Sequence, residues 1–133
     1  MIFEGDCKEL LEMFSIDTKS NGAKDFCLFV ELTAAILNYP QYKVGPHDVA
    51  RAMMRESGLS PLVFWSRIKR ACKPLYDADV STLRALGLVI PDGEITGYVL
   101  ALSVAVAVAD RDREFYVSEP SIARDIARRC GKK

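Results

Sequence analysis

Apolar residues recur every three to four positions along almost the whole chain, the period of helices that bury one face. Residues 4–15 put Cys7, Leu10, Leu11 and Phe14 on one such face. The polar, turn-rich stretch DTKSNGAKD follows. A long apolar helix is predicted from about Lys24 to Asn38, stopped by Tyr39-Pro40. In KVGPHDVARAMMRES a further helix begins with Pro46 in its first turn and carries the stripe Val49, Ala50, Met53 and Met54. Gly58 ends it. Ser60 as N-cap and Pro61 at the first helical position open the next helix, and Pro74 disturbs its end. A short helix is expected around Val80 to Leu86, then a turn in LVIPDGEIT, with Asp92-Gly93 as its strongest signal. The apolar run Ile95 to Ala109 reads as a buried helix and DRDRE as a charged connection. The last helix is placed from Ser118–Pro120 to about Cys130. Only 88–90 and 115–117 stay open to a reading as short strands. The expectation is an all-α, compact bundle of about six to seven helices. It forms one domain over residues 1–133, with C-terminal helices at about 94–130.

Composition narrows the function classes. The chain has 133 residues, half of them hydrophobic and 27% charged, which excludes overall disorder. The apolar run 95–109 has 15 residues, short of the ~20 a bilayer requires, so no membrane partner is expected. The N-terminus MIFEGDCKEL lacks a signal peptide's apolar segment, and a reducing cytoplasm is the expected setting. None of the four cysteines pairs at CxxC spacing and there is one histidine, so neither metal nor cofactor is expected. Each cysteine lies in an apolar pattern and reads as a buried free thiol. Glycine-rich phosphate loops, GxSxG and Cys/His pairs at catalytic spacing are absent, so no enzyme is expected. His47 reads as a surface or capping residue, Trp65 as core, and Asp110, Asp112 and Glu114 as solvated loop charges.

Formal net charge is zero, which argues mildly against a dedicated nucleic-acid binder. The zero is a cancellation of blocks. Residues 1–50 carry 4 basic and 8 acidic side chains, and residues 51–75 carry 6 basic and 1 acidic. Residues 76–110 carry 1 and 5, and residues 111–133 carry 7 and 4. Screening acts within ~10 Å at ordinary salt, so local blocks matter more than the total.

The basic block coincides with a helix, glycine turn, helix layout over about 47–73, that of a helix-turn-helix. In its second helix, Phe64, Trp65, Ile68, Cys72 and Leu75 recur at core spacing. Leu62, Val63, Ser66, Arg67, Lys69, Arg70 and Lys73 are left for the outer face. Arg67, Lys69, Arg70 and Lys73 are candidate phosphate or base contacts, Ser66 a polar contact at the groove, and Arg51 and Arg55 flanking phosphate contacts. A merger of these cations with Arg124, Arg128 and Arg129 into one stripe would favour DNA. There is also a faint repeat. YKVGPHDVARAMMR (42–55) and FYVSEPSIARDIAR (115–128) align Val49-Ala50-Arg51 with Ile122-Ala123-Arg124.

From about Cys7 to Leu88 the chain resembles the C-terminal DNA-binding domain of the bacterial sporulation initiation response regulator (stage zero sporulation protein A). CKELLEMFSIDTKSNGAKDFCLFVELTAAIL resembles that domain's first helix, its hydrophilic connection and its long second helix. DVARAM resembles the scanning helix, and SRIKRACKPLYDADVSTLRALG the later recognition helix and the short helix after it. FYVSEPSIARDIARR resembles the closing segment. The resemblance implies an all-α, winged-helix-like effector domain that binds promoter DNA, often as paired copies. By position it makes Pro61 to about Lys73 the recognition helix. Four departures stand out, the first being the apolar run 95–109, which reads as an insertion or replacement that extends the core or builds a subunit interface. The link from Ala50 to Phe64 is about one turn longer. The polar positions at the helix front fall on Val63, Trp65 and Ser66. No receiver domain is present, and Met1 with a full first helix agrees with a stand-alone protein. The expected partners are duplex DNA and a second copy of the chain. The rival expectation is a helical interaction or oligomerisation domain without DNA binding, marked by Leu62 and Val63 on the outer face.

Overall fold

A computed structural model describes residues 4–131. Among the described residues there are nine α-helices, one short 3-10 turn and no strand. They are α1 (Cys7–Met13), α2 (Asn21–Leu37), α3 (Pro46–Ser57), α4 (Pro61–Ala71), α5 (Lys73–Tyr76), α6 (Val80–Ala85), α7 (Gly97–Arg111), α8 (Arg113–Ser118) and α9 (Pro120–Arg129). The 3-10 turn spans Pro40–Tyr42. The all-α bundle is therefore observed.

The elements start where short polar side chains satisfy the first orphan amides. Asp6 accepts from the Glu9 N–H at 2.8 Å, Ser20 from Ala23 at 3.3 Å and Asp79 from Thr82 at 2.8 Å. Thr96 accepts from Val99 at 3.1 Å. α2 is the hub, touching α1, α3, α4, α7 and α9. Its buried face runs from Gly22 and Ala23 through Phe26, Phe29 and Val30 to Ala34, Ala35 and Ile36. α7 lies along it and buries Leu100, Ala101, Val104, Ala105 and Val108. Small residues on both helices allow this close approach. Tyr76 donates its hydroxyl to the Gly97 carbonyl at 2.7 Å, tying α5 to the start of α7. Ser103 donates to Val89 O at 3.0 Å and anchors the loop over residues 86–96.

Within that bundle several details differ from the sequence reading. The count exceeds six to seven because α5 and α8 are additional short helices. Pro74 does not simply weaken the end of α4; it lies in the first turn of a new helix after the break at Cys72. DRDRE is helical: α7 continues to Arg111, Asp112 is the joint, and α8 follows directly. Asp112 N–H still bonds Val108 O at 2.9 Å, so the chain bends without leaving helical geometry. Asp110, Asp112 and Glu114 thus lie on or between helices. Residues 115–117 belong to α8 and 88–90 pair with no neighbour, so the described residues carry no wing. Cys7 and Cys72 are buried free thiols as expected, whereas Cys27 and Cys130 are half-buried.

The repeat has a structural counterpart. Ala50, Met53 and Met54 of α3 and Ala123, Ile126 and Ala127 of α9 are all buried at equivalent positions.

Candidate nucleic-acid interface

α3 and α4 are joined by Gly58-Leu59-Ser60. Gly58 has φ 68°, a left-handed conformation that glycine adopts without strain, and its N–H bonds Met54 O. Leu59 N–H reaches the same carbonyl at 3.1 Å. Ser60 then accepts from Val63 N–H at 3.3 Å and starts α4. The helix-turn-helix spacing read from sequence is present as a chain path.

α4 is clamped by its apolar face. Phe64 and Ile68 are fully buried, and Cys72 behind them is buried too. At the start of α2, a Cβ on Gly22 would lie 2.5 Å from the Arg67 carbonyl oxygen and 2.6 Å from Ala71 Cβ, so only glycine permits this approach. Trp65 is half-buried and packs edge-on against Phe29, Phe64 and Tyr98, with ring centroids 5.3, 5.0 and 5.6 Å away.

The predicted site residues divide into separate places. Ser66, Lys69, Arg70 and Lys73 line one surface cleft of about 290 Å³ together with Tyr76 and Asp77. Lys73 is paired there with Asp77 at 2.7 Å, both exposed. Lys69 and Arg70 are exposed and, among the described residues, have no carboxylate within ion-pair distance. Arg67 is corrected. It leaves the outer face, is half-buried, and pairs with Asp25 of α2. At the helical angle of position 67, the guanidinium reaches the flank of α2 more readily than solvent.

Arg51 and Arg55 lie apart from the cleft. Arg51 bonds Asp48 one turn back at 2.5 Å. Arg55 donates to the Arg129 carbonyl at 3.2 Å, and Arg129 makes a two-pronged contact with Glu56 at 2.6 and 2.9 Å. The Arg129 hydrogen bond holds the Glu56 carboxyl below its ordinary pKa. Arg128 pairs with Asp125 at 3.1 Å. The C-terminal ends of α3 and α9 therefore do meet. Among the described residues, Asp48, Glu56 and Asp125 are each paired with one of these cations, so Arg51, Arg128 and Arg129 do not stand as a run of unpaired positive charge.

The front of α4 is apolar. Leu62 is 77% exposed and Val63 49%, and no charged side chain lies in the first turn. What the α4 outer face can offer is methyl groups at the front, one hydroxyl at Ser66, and cations behind. His47 is exposed as expected, but it also stacks flat on Tyr98, with ring centroids 4.5 Å apart. Sequence reasoning missed this contact, because His47 and Tyr98 belong to distant helices and no local pattern links them. Among the described residues no group of side chains is arranged to hold a metal ion, and no helix is long and apolar enough to cross a membrane. Compared with known protein families, characterised proteins and solved structures, the chain matches none.

Proposed function

We propose that the chain is a cytoplasmic, non-enzymatic DNA-binding domain of the transcription-regulator type, diverged from the sporulation-regulator effector domains it resembles, and that α4 meets the major groove of duplex DNA. The observation that carries this reading is the outer face of α4. Among the described residues Lys69 and Arg70 stand there without acidic partners, Ser66 and Lys73 share their cleft, and a short glycine turn links this helix to α3. Lys69, Arg70 and Lys73 contact phosphates because they share the cleft on α4, Lys73 by exchanging its exposed pair with Asp77, while Arg51 and Arg55 are peripheral because they lie apart from that cleft. Arg67 fixes α4 on α2 and is not a phosphate contact. Fluorescence anisotropy with mixed duplex DNA over a salt series tests this. Log affinity should fall with log salt with a slope of about −2 to −3 for two to three phosphate contacts. Absence of binding at low salt rejects the reading.

A second reading is favoured by one observation. Leu62 and Val63 form an exposed apolar pair where a groove-reading helix ordinarily carries polar groups. In that reading α4 is an interface with a second copy of the chain. Leu62→Glu and Val63→Glu should then abolish dimers in light scattering. A wild-type chain that is monomeric at every concentration rejects it.

A further inference from the structure

α8 buries none of its side chains, although it runs beside α7 and α9. A cleft of about 350 Å³ opens where α8 meets α2, α7 and α9, just past the bend at Asp112. That volume lies within the range of small-molecule sites, ~300–1,000 Å³. Val108 and Ile126 are buried at its base. Leu32, Phe115, Tyr116 and Ile122 line it and keep part of their surface open, Phe115 at 56% exposure.

The wall formed by α8 is held at both ends. At its start Arg111 donates to both carboxylate oxygens of Asp112 at 2.9 Å and to the Gly5 carbonyl at 2.8 Å. At its end the Tyr39 hydroxyl donates to the Tyr116 carbonyl at 2.7 Å, with the Val117 carbonyl at 3.0 Å. The cleft is therefore formed before anything enters it, which lowers the ordering cost of binding.

The charges in the cleft are not balanced. Asp6, Glu31 and Asp112 line it with one cation, Arg111. Arg111 is spent on Asp112, and Asp6 caps α1 through the Glu9 N–H. Among the described residues Glu31 has no ion-pair or hydrogen-bond partner. Partial desolvation and the Asp6 charge both raise its carboxyl above the ordinary value, so Glu31 stands in a negative field without a counter-ion. A cation entering beside it relieves that field, while an anion worsens it.

We propose that this cleft binds a small organic cation, an apolar body carrying one ammonium group. The body packs against Leu32, Phe115 and Ile122, and the ammonium group pairs with Glu31. The assignment stands independently of whether α4 meets DNA.

The probe is phenethylammonium, beside neutral phenethyl alcohol and anionic hydrocinnamate, each titrated into the isotope-labelled full chain. Amide shifts in nuclear magnetic resonance then report both affinity and place. Phenethylammonium should give saturable shifts centred on residues 30–35, 108–116 and 122–126. It should bind about threefold or more tightly than the alcohol, with hydrocinnamate weakest. Glu31→Gln keeps the size of the side chain and should erase the preference for the cation with the circular dichroism spectrum unchanged. Phe115→Ala, at an exposed position, should weaken cation and alcohol alike. The proposal is overturned if phenethylammonium does not saturate at millimolar concentrations, if its shifts centre elsewhere, or if its preference survives Glu31→Gln. Tighter binding of hydrocinnamate would give the cleft's charge to Arg111 and overturn it equally.

Discussion

Arg67 of α4 and Asp25 of α2 form an ion pair that turns the first cation of the basic helix back onto the protein. The side chains are 32% and 21% exposed, so the pair is partly shielded from water. Arg67 Nε is buried without a partner. The two ends of the pair are therefore unequal. Asp25→Ala leaves a half-buried guanidinium unpaired and should cost about 1–2 kcal/mol. Arg67→Met keeps the apolar stem and removes the orphaned Nε, and should cost under about 1 kcal/mol. Chemical denaturation of the two variants checks the order. Equal losses would mean the pair is simply a solvated contact. In a DNA titration Arg67→Met should leave the salt slope unchanged, whereas Lys69→Ala with Arg70→Ala should reduce it by about 2.

The clamp on α4 makes a sharper stability prediction. Gly22→Ala would raise helix propensity by ~1 kcal/mol in an exposed helix. Here the added Cβ meets backbone oxygen of Arg67 at 2.5 Å, and backbone cannot rotate away. Gly22→Ala should destabilise the chain by about 1–3 kcal/mol, read as a lowered Tm by circular dichroism. An unchanged or raised Tm would mean that α2 and α4 are spaced more widely than described.

Much of this fold is legible locally. Ser60-Pro61 marks a helix start because cap and fixed φ both act within one turn, and α4 begins there. Gly58 marks a stop for an equally local reason. The apolar period of Phe64 and Ile68 identifies the buried face without a partner being known. The failures need the partner. Arg67 lies on the border of that face, and only the presence of Asp25 across the gap decides which way it turns. Trp65 was legible as core, but its open side exists because α7 starts at Gly97, where a Cβ would come within 3.3 Å of it. The junction at Asp112 was hidden by charge. Arg111 is held by Asp112 and by the Gly5 carbonyl at 2.8 Å, so a stretch that reads as a loop stays helical through a contact from the other end of the chain.

The cysteines should react in two classes. Burial and the neighbouring Cys27 push the Cys72 thiol up to about 12. Cys7 is raised well above its ordinary value, first by its hydrogen bond with Cys27 and then by burial. At about pH 8 both are almost wholly protonated and poor nucleophiles. An aromatic disulfide reagent should therefore leave two thiols unreacted in the folded chain and release them in urea. Rapid reaction of all four would contradict the burial of Cys7 on α1 and of Cys72 at the junction of α4 and α5.

Glu31 gives a pH dependence of known sign. Partial desolvation raises its carboxyl above the ordinary value even though the side chain keeps an exposed face, and Asp6 adds to the rise. The folded chain thus holds this proton more tightly than the unfolded chain, so stability from this group falls as pH rises through the carboxylate range. Glu31→Gln should raise Tm at about pH 7 and leave it unchanged at about pH 3, where the wild-type group is already neutral. A gain of equal size at both pH values would assign the effect to packing and not to ionisation.

The apolar front of α4 finally predicts a chemical signature for the proposed DNA complex. Leu62 and Val63 have no donor or acceptor for base edges, yet the major groove presents one apolar group, the thymine C5-methyl. A methyl contact of this kind contributes about 0.8 kcal/mol, roughly fourfold in affinity. A duplex with uracil in place of thymine differs only by that methyl and should bind more weakly by that factor for each contact. Leu62→Ala should remove most of the difference while Lys69 and Arg70 preserve the salt slope. Binding that is equal for thymine and uracil duplexes would show that the front of α4 does not face the bases. Phosphate contacts alone would then account for the affinity, and Leu62 and Val63 would be left to the interface reading.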